Sequence, residues 1–441
     1  MKNRHSKALL WNLGLALLLA LSFAPATQAQ SDSQVDVLTV KGAITPIVAA
    51  YIDRGITTAQ SDGAACLIIQ LDTPGGSVQV TEEIVQAMKA AAVPIVIYVQ
   101  PTGAKAASAG TFLTLAAHVA AMAPGTRIGA AHPVDMSGQQ MTEEVMAKSV
   151  NDAVALIKGL AEPRGEEAVA WAESAVRESS SITDEEAIER GVVDLVTKDL
   201  NTLLSELDGR EVVLNDQTVT LATEGAAINQ LPMSAIEGLL HTVTDPNIAF
   251  ILLTIGLNAI IFELSQPGGY ISGVIGGICL VLALFSLGVL SVNWTGLIFV
   301  ALAFILLIAD VKAPTHGILT AMGVVSFVLG SMILFSSPFA QVSLQLVVAV
   351  ALCTGAFFAF VVAKIVGIQR RRPITGIEGL VGQLAVVRSD LDPSGTVFLK
   401  GELWQAEVDE GAVRRGEQVE IIEVSGFKLN VRKVTGEPAP K

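Results

Sequence analysis

Charge is scarce in this chain. Only 16% of its 441 residues are Asp, Glu, Lys or Arg, against roughly 25% in an ordinary soluble protein. Aromatic residues make up 5%, and the three cysteines, Cys66, Cys279 and Cys353, stand far apart. The first shortage, alongside so much apolar residue, excludes a disordered chain, a coiled coil and a plain cytosolic enzyme. The cysteine spacing offers neither a metal-ligand set nor a disulfide framework. Basic residues are the minority, 28 against 42 acidic, for a net charge of −14, which argues against binding nucleic acid. What is abundant is apolar: 51% of residues, with a mean hydropathy of +0.57. Such a chain keeps part of itself in lipid.

The N-terminus carries Lys2, Arg4 and Lys7, then an apolar run from Ala8 to Phe23, then small residues ending Thr27-Gln28-Ala29. Basic, apolar, small-x-small is the layout of a secretory signal peptide, so 1–29 is expected to direct export, with an uncleaved anchor as the alternative. In a bacterium the residues that follow then face the periplasm. Apolar stretches at 247–264, 270–292, 294–311, 317–336 and 342–368 each approach the ~20 residues of a spanning helix. Five crossings from an outside start put Lys312 and Arg370-Arg371-Arg372 inside, while the loops at 291–293 and 336–341 lack Lys and Arg. This predicts a multi-pass inner-membrane protein over 247–368. The first crossing is the least regular, with Asn258 and Glu263; were it only interfacial, the topology would invert. Glu263-x-x-x-Pro267 and Asp310-x-x-x-Pro314 echo one another, and each leads into a helix carrying a glycine, Gly276 or Gly323. Small residues there suit close helix packing, and both carboxylates read as interfacial and hydrated.

Beyond the membrane region, 374–441 shows five β-rich runs, near 380–387, 396–399, 403–408, 418–424 and 428–434, separated by glycine-bearing turns. That pattern predicts a small all-β closed barrel such as an OB-fold. Few aromatics and mixed charge make it an adaptor rather than a nucleic-acid platform.

Between the signal and the membrane, 30–205 alternates strand-like and helix-like segments, as in a covered, mostly parallel α/β sheet; 206–246 shows no readable motif and is taken as a linker. Two segments carry chemistry. Leu71-Asp-Thr-Pro-Gly75-Gly76 is a buried strand ending in a turn that frees backbone N–H groups before a helix, which suits an oxyanion hole. Gly103-Ala-Lys-Ala-Ala-Ser108-Ala-Gly-Thr111 opens a helix walled by tiny side chains, where a serine hydroxyl is approachable and the helix dipole favours a developing alkoxide. The bland readings are an ordinary turn and a close-packing serine. For a base, His118 falls in an apolar run and reads as packed. His132 sits in a loop, and Lys105, Lys148 and Lys158 complete the candidates. A lysine serves as base only where burial or another cation lowers its pKa; sequence distance does not choose among them.

Together Asp72-Thr-Pro-Gly-Gly76, Gly103-x-x-Ala-Ala-Ser108-Ala-Gly-Thr111, Ala121-Met-Ala-Pro-Gly-Thr126-x-Ile-Gly129 and Thr183–Gly191 resemble the long-form NfeD family of membrane-bound, Clp-protease-like serine proteases. The likeness runs over nearly the whole chain. It implies a Clp/crotonase-type fold for the protease domain and a Ser–Lys dyad, with Ser108 as nucleophile, Lys148 as general base, and Gly75 and Gly76 supplying the oxyanion hole. It also implies a stomatin (SPFH) protein as partner and substrate, at least a dimeric head, and no metal or cofactor. Lys105 departs from the family's usually small or polar residue there. The main rival reading is a non-enzymatic membrane scaffold that recruits an SPFH partner through its barrel. A crotonase-type acyl-CoA enzyme is disfavoured by export away from CoA. An intramembrane serine protease is disfavoured because the membrane part has no Gly-x-Ser-Gly.

Overall fold

The computed structural model describes residues 33–134, 142–265, 270–290, 292–313, 315, 317–336, 341–369 and 377–434. The signal segment, Pro267, Pro314 and the 370–372 arginines lie outside them. Two compact units emerge, one comprising the chain to Ile305 with Gly323–Cys353, the other Leu306–Met322 with Thr354–Lys441.

The head begins with β1 (Gln34–Lys41), α1 (Pro46–Asp62), β2 (Cys66–Asp72), α2 (Val78–Ala90) and β3 (Ile95–Val99). It continues with β4 (Lys105–Ala107), α3 (Ala109–Ala116), β5 (Val119–Met122), β6 (Arg127–Gly129), α4 (Glu143–Ala161) and α5 (Glu166–Arg177). Then come β7 (Ser181–Thr183), α6 (Asp184–Glu189), β8 (Leu195–Val196) and α7 (Leu200–Leu207). With the later strand β11 (Ala227–Gln230) at one edge, the main sheet has the order β11-β1-β2-β3-β5-β8, all parallel. Parallel strands are covered on both faces and so read as continuous apolar runs; every residue of β3, Ile-Val-Ile-Tyr-Val, is buried. One core fills each face, with Leu67, Ile69 and Ile97 on one and Ile68, Val96 and Tyr98 on the other. A second, three-stranded sheet has the order β4-β6-β7, and its strand β4 ends one residue before Ser108.

The expected linker is folded. It contains the hairpin β9 (Glu211–Leu214) and β10 (Gln217–Thr220), the strand β11 (Ala227–Gln230) and the helix α8 (Ala235–Val243). β11 pairs with β1 from Gln34↔Ala227 to Val37↔Gln230, so the head extends past residue 205. The strand is short and mostly exposed; its pairing partner, not its composition, makes it a strand.

Five apolar helices follow: α9 (Pro246–Ser265), α10 (Ile271–Leu290), α11 (Trp294–Lys312), α12 (Ile318–Leu334) and α13 (Leu344–Gln369). Four are long and apolar enough to cross a membrane, and α12, at 17 residues, is shorter. Glycines bring the helices together. A Cβ on Gly276 would stand 3.0 Å from Ala259 Cβ, and one on Gly296 only 2.1 Å from the Leu334 nitrogen, the close approach expected of small residues in membrane bundles. The carboxylates differ from expectation. Asp310 is 2% exposed and accepts from the Gly317 and Thr320 amides at 3.3 and 3.2 Å, and from the Thr315 and Thr320 hydroxyls. Glu263 accepts from the Tyr270 and Gly273 amides at 3.1 and 3.3 Å and from the Ser272 hydroxyl. Each acid satisfies the orphan N–H groups that open the next helix, so neither serves as a merely hydrated interfacial group.

The C-terminal barrel closes as β12-β13-β14-β16-β15, with β12 (Leu384–Ser389), β13 (Ser394–Leu399), β14 (Glu402–Val408), β15 (Gln418–Ser425) and β16 (Lys428–Lys433). All pairings are antiparallel except β14–β16. Alternating Val387, Val397, Ala406, Val419, Ile421 and Val431 fill the interior, as in a small barrel. The α/β head, apolar bundle and five-stranded barrel expected from the sequence are thus all present.

Candidate active site

Ser108 stands between β4 and α3, at the N-cap of the helix, and is half-buried. Its backbone is strained, with φ 50° and ψ −113°, a region that costs a non-glycine residue of order 1–3 kcal/mol. Neighbours impose it. The Ser108 amide donates to the Gly129 carbonyl at 2.9 Å, and the Thr111 hydroxyl donates to the Ala106 and Gly129 carbonyls, both at 3.0 Å. An N-cap serine ordinarily spends its oxygen on the helix's free N–H groups. Ser108 makes no such bond, so its hydroxyl is not spent on the cap.

The surrounding small residues have packing reasons. A Cβ on Gly110 would meet Thr73 Cγ2 at 2.6 Å, so glycine lets α3 lie against the 73–76 turn. A Cβ on Gly76 would fall 2.2 Å from the Ile44 carbonyl oxygen. That turn is laced to the connection between β1 and α1 by Ile44 N–H to Gly75 O at 2.9 Å and Ser77 N–H to Ile44 O at 3.3 Å. Gly75, at φ 121°, donates its own N–H to Thr73 Oγ1 at 3.0 Å. Gly76 and Ala109 both border the site, and the Ala109 amide opens α3, where N–H groups have no helical partner.

Ser108 opens onto a cavity of about 200 Å³ lined by Gly76, Val78, Thr81, Glu82, Ala109, Phe112, Ala131, Pro133 and Val134, and by Ser149, Asp152, Ala153 and Leu156 of α4. The lining is mostly apolar, with Glu82 and Asp152 as the acids. Neither stood out in the sequence, because an isolated acid on an amphipathic helix reads as a solvated face.

The candidate bases separate clearly. His118 Nδ1 accepts from the Ile95 amide at 3.1 Å, and burial followed by the Lys89 charge lowers its pKa; it is a packed histidine. His132 Nδ1 donates to the Val176 carbonyl at 2.8 Å. Lys158 pairs with Glu173 at 2.8 Å. Lys105 is half-buried in β4, its amide donating to Asp72 at 3.2 Å. Lys148, on α4, is 74% exposed along its side chain and pairs with Glu144 at 2.9 Å. It does not line the cavity, although its neighbour Ser149 and Asp152, one turn further on, do. Among the described residues no cluster of His, Cys, Asp and Glu is arranged to hold a metal.

Comparison with known proteins gives three matching family profiles. These are the NfeD1b N-terminal domain over 34–216, the NfeD integral membrane domain over 247–364, and the NfeD-like C-terminal, partner-binding domain over 377–433. The membrane-bound protease PH1510 of Pyrococcus horikoshii is 35% identical over 419 residues, covering 91% of this chain and 95% of that protein. The chain belongs to the NfeD family. Membrane protein NfeD1b of Bacillus subtilis is 25% identical over 453 residues, 96% of this chain and 98% of its own. Among solved structures, the 1510-N membrane protease specific for a stomatin homolog, from Pyrococcus horikoshii, is 35% identical, covers 48% of this chain and 99% of that one, and superposes with a TM-score of 0.42. With its apolar spans, this NfeD chain is a membrane protein whose C-terminal barrel is of the partner-binding type.

Proposed function

We propose that this NfeD protein is a membrane-anchored serine endopeptidase with Ser108 as nucleophile and Lys148 as general base. The observation that carries the reading is Ser108 itself, a strained N-cap residue whose hydroxyl is not spent on its helix and opens onto an apolar cavity. The 35% identical relative being a membrane-bound protease fits it. In the reaction Lys148 leaves Glu144 for the apolar cavity, where desolvation favours the neutral amine, and takes the Ser108 proton as Oγ attacks the peptide carbonyl. The Gly76 and Ala109 amides stabilise the tetrahedral anion, with Gly75 fixing the turn through Thr73 instead of donating to the substrate. Lysine returns the proton to the leaving amine, and water then hydrolyses the acyl-enzyme.

Lys148 must first leave Glu144. An exposed i,i+4 pair contributes only about 0.3–0.5 kcal/mol, so releasing it costs little. Lys148 also shares a helix stripe with the cavity residue Asp152, and its long side chain gives it reach. The apolar cavity fits an apolar peptide segment, and the C-terminal domain fits a stomatin-type partner, the class for which the solved relative is specific. The further parts of the reading are a secretory signal peptide over 1–29, a periplasmic head, a cytoplasmic barrel in a bacterial inner membrane, and a head that is at least dimeric.

The test is cleavage of an apolar peptide by full-length protein in detergent. Wild type cleaves and Ser108→Ala does not. Equal cleavage by both removes Ser108 from the mechanism, and no cleavage by a folded wild type favours the scaffold alternative.

A further inference from the structure

Helix α8 is pinned to the head on one face. The Arg54 Nε and Nη2 groups donate to Glu237 at 2.9 and 2.8 Å, and Arg54 Nη2 also donates to the Pro232 carbonyl at 2.9 Å. Tyr51 Oη donates to the Leu231 carbonyl at 2.6 Å, just before the helix. His241 Nε2 donates to the Lys41 carbonyl at 3.1 Å, at the end of β1. Ser234 and Glu237 form a capping box, so the helix start is fixed internally as well.

The other face is different. Ile236 is 72% exposed and Leu239 57% exposed, and their i,i+3 spacing places them side by side. Isolated exposed apolar residues need no explanation, but a paired face on a helix held so rigidly does. Its surroundings point to the occupant. Only Thr244 and Asp245 separate α8 from the start of α9, a membrane span. The last carbonyl of α8, on Val243, accepts from Ser286 Oγ at 2.7 Å, within the final turn or so of the span α10, and Ser286 is fully buried. Leu239 lies one helical turn from Val243. The ends of two spans therefore sit beside this apolar pair. The helix carries no Lys or Arg of its own, and its one carboxylate is neutralised by Arg54.

From this we infer that α8 is an interfacial helix, its Ile236–Leu239 face seated in the headgroup–acyl boundary of the bilayer that α9 and α10 cross. Interfacial helices bury their apolar face in the headgroup–acyl boundary, and one joined to a span by two residues holds the head at a fixed height over lipid. Without basic residues, the contact is apolar and does not need anionic lipid.

The full chain in phosphatidylcholine vesicles tests this. Cys279→Ala and Cys353→Ala remove the accessible thiols, while Cys66, fully buried and with burial pushing its thiol up to about 12, stays unlabelled. An environment-sensitive fluorophore is attached at Leu239→Cys, at Ile236→Cys, or at Asp62→Cys as the reference. Asp62 is exposed and lies by the start of β1, where the Ala65 amide donates to Gln34 O, at the strand end away from Lys41. A nitroxide near the headgroup end of the lipid chains is expected to quench positions 236 and 239 roughly twofold more than position 62, with no change when anionic lipid is added. Equal quenching at all three positions overturns the inference. So does strong self-quenching between labelled copies without lipid quenching, which assigns the face to a second copy of the chain.

Discussion

The Ser108 amide and the Gly129 carbonyl are joined at 2.9 Å, and this bond helps hold Ser108 at φ 50° while its hydroxyl stays out of the helix cap. Gly129 can lend that carbonyl because it lies at φ 133° against the Ser180 carbonyl, where a Cβ would come within 2.2 Å. Strain at the serine is thus maintained by a glycine on the neighbouring strand.

If the strain belongs to the site, Ser108→Gly relieves it. The variant is expected to stabilise the head by about 1 kcal/mol while losing all cleavage, whereas Ser108→Ala loses cleavage without the gain. Unfolding followed at buried Trp171, with the other three tryptophans replaced as Trp11→Phe, Trp294→Phe and Trp404→Phe, reads the difference. Equal stability of the Gly and Ala variants would refute a strained serine.

Gly76→Ala should fold poorly around the turn or displace it, since the added carbon meets Ile44 backbone. A loss of kcat on the order of 100-fold or more is expected, the usual cost of removing an oxyanion donor, with KM for an apolar peptide changed much less. Gly63→Ala tests position: Gly63 is exposed at the end of α1 with nothing within 4 Å of an added Cβ, and because its φ is 67° the effect of a side chain there should fall on stability alone.

The Arg54–Glu237 pair gives a pH signature. The hydrogen bond from Arg54 holds the Glu237 carboxyl at about 2, against its ordinary 4.5. The folded value is the lower, so the unfolded chain takes up the proton first as pH falls. The pair's contribution is therefore complete above about pH 4.5 and fades toward about pH 2. The stability gap between wild type and Glu237→Gln should be constant near neutrality and shrink across that acid window. A gap unchanged down to about pH 2 contradicts the assignment.

Among the lysines, Lys148→Ala is expected to abolish cleavage and Lys105→Ala to leave most of it. Glu144→Gln should leave cleavage intact or raise it up to about twofold, the equivalent of an exposed pair. Steady-state rates at saturating peptide decide among the three, and loss with Lys105→Ala but not Lys148→Ala reassigns the base.

The sequence announced the parts whose physics is local. Continuous apolar runs such as Cys66–Leu71 and Ile95–Val99 became central parallel strands, and the alternation in 384–433 became the barrel. Less legible were elements that exist only through a partner. Lys105–Ala107 looks from sequence like the lead into a helix, because Lys and Ala carry little β preference, yet it pairs with Arg127–Gly129 and leaves Ser108 at the helix cap. The same holds for Ala227–Gln230, an edge strand only because β1 lies beside it. In the site, Gly76 could be read from the turn motif. The commitment of the Gly75 amide to Thr73 could not, since it depends on one side-chain rotamer. The same is true of the Lys148–Glu144 pairing.

The most direct measurement is covalent: intact full-length protein treated with a serine-directed phosphonate, digested, and mapped by mass spectrometry. The account predicts a single adduct on Ser108, lost in Ser108→Ala and strongly slowed in Lys148→Ala. No adduct on Ser108 in folded protein, or labelling unaffected by Lys148→Ala, contradicts it.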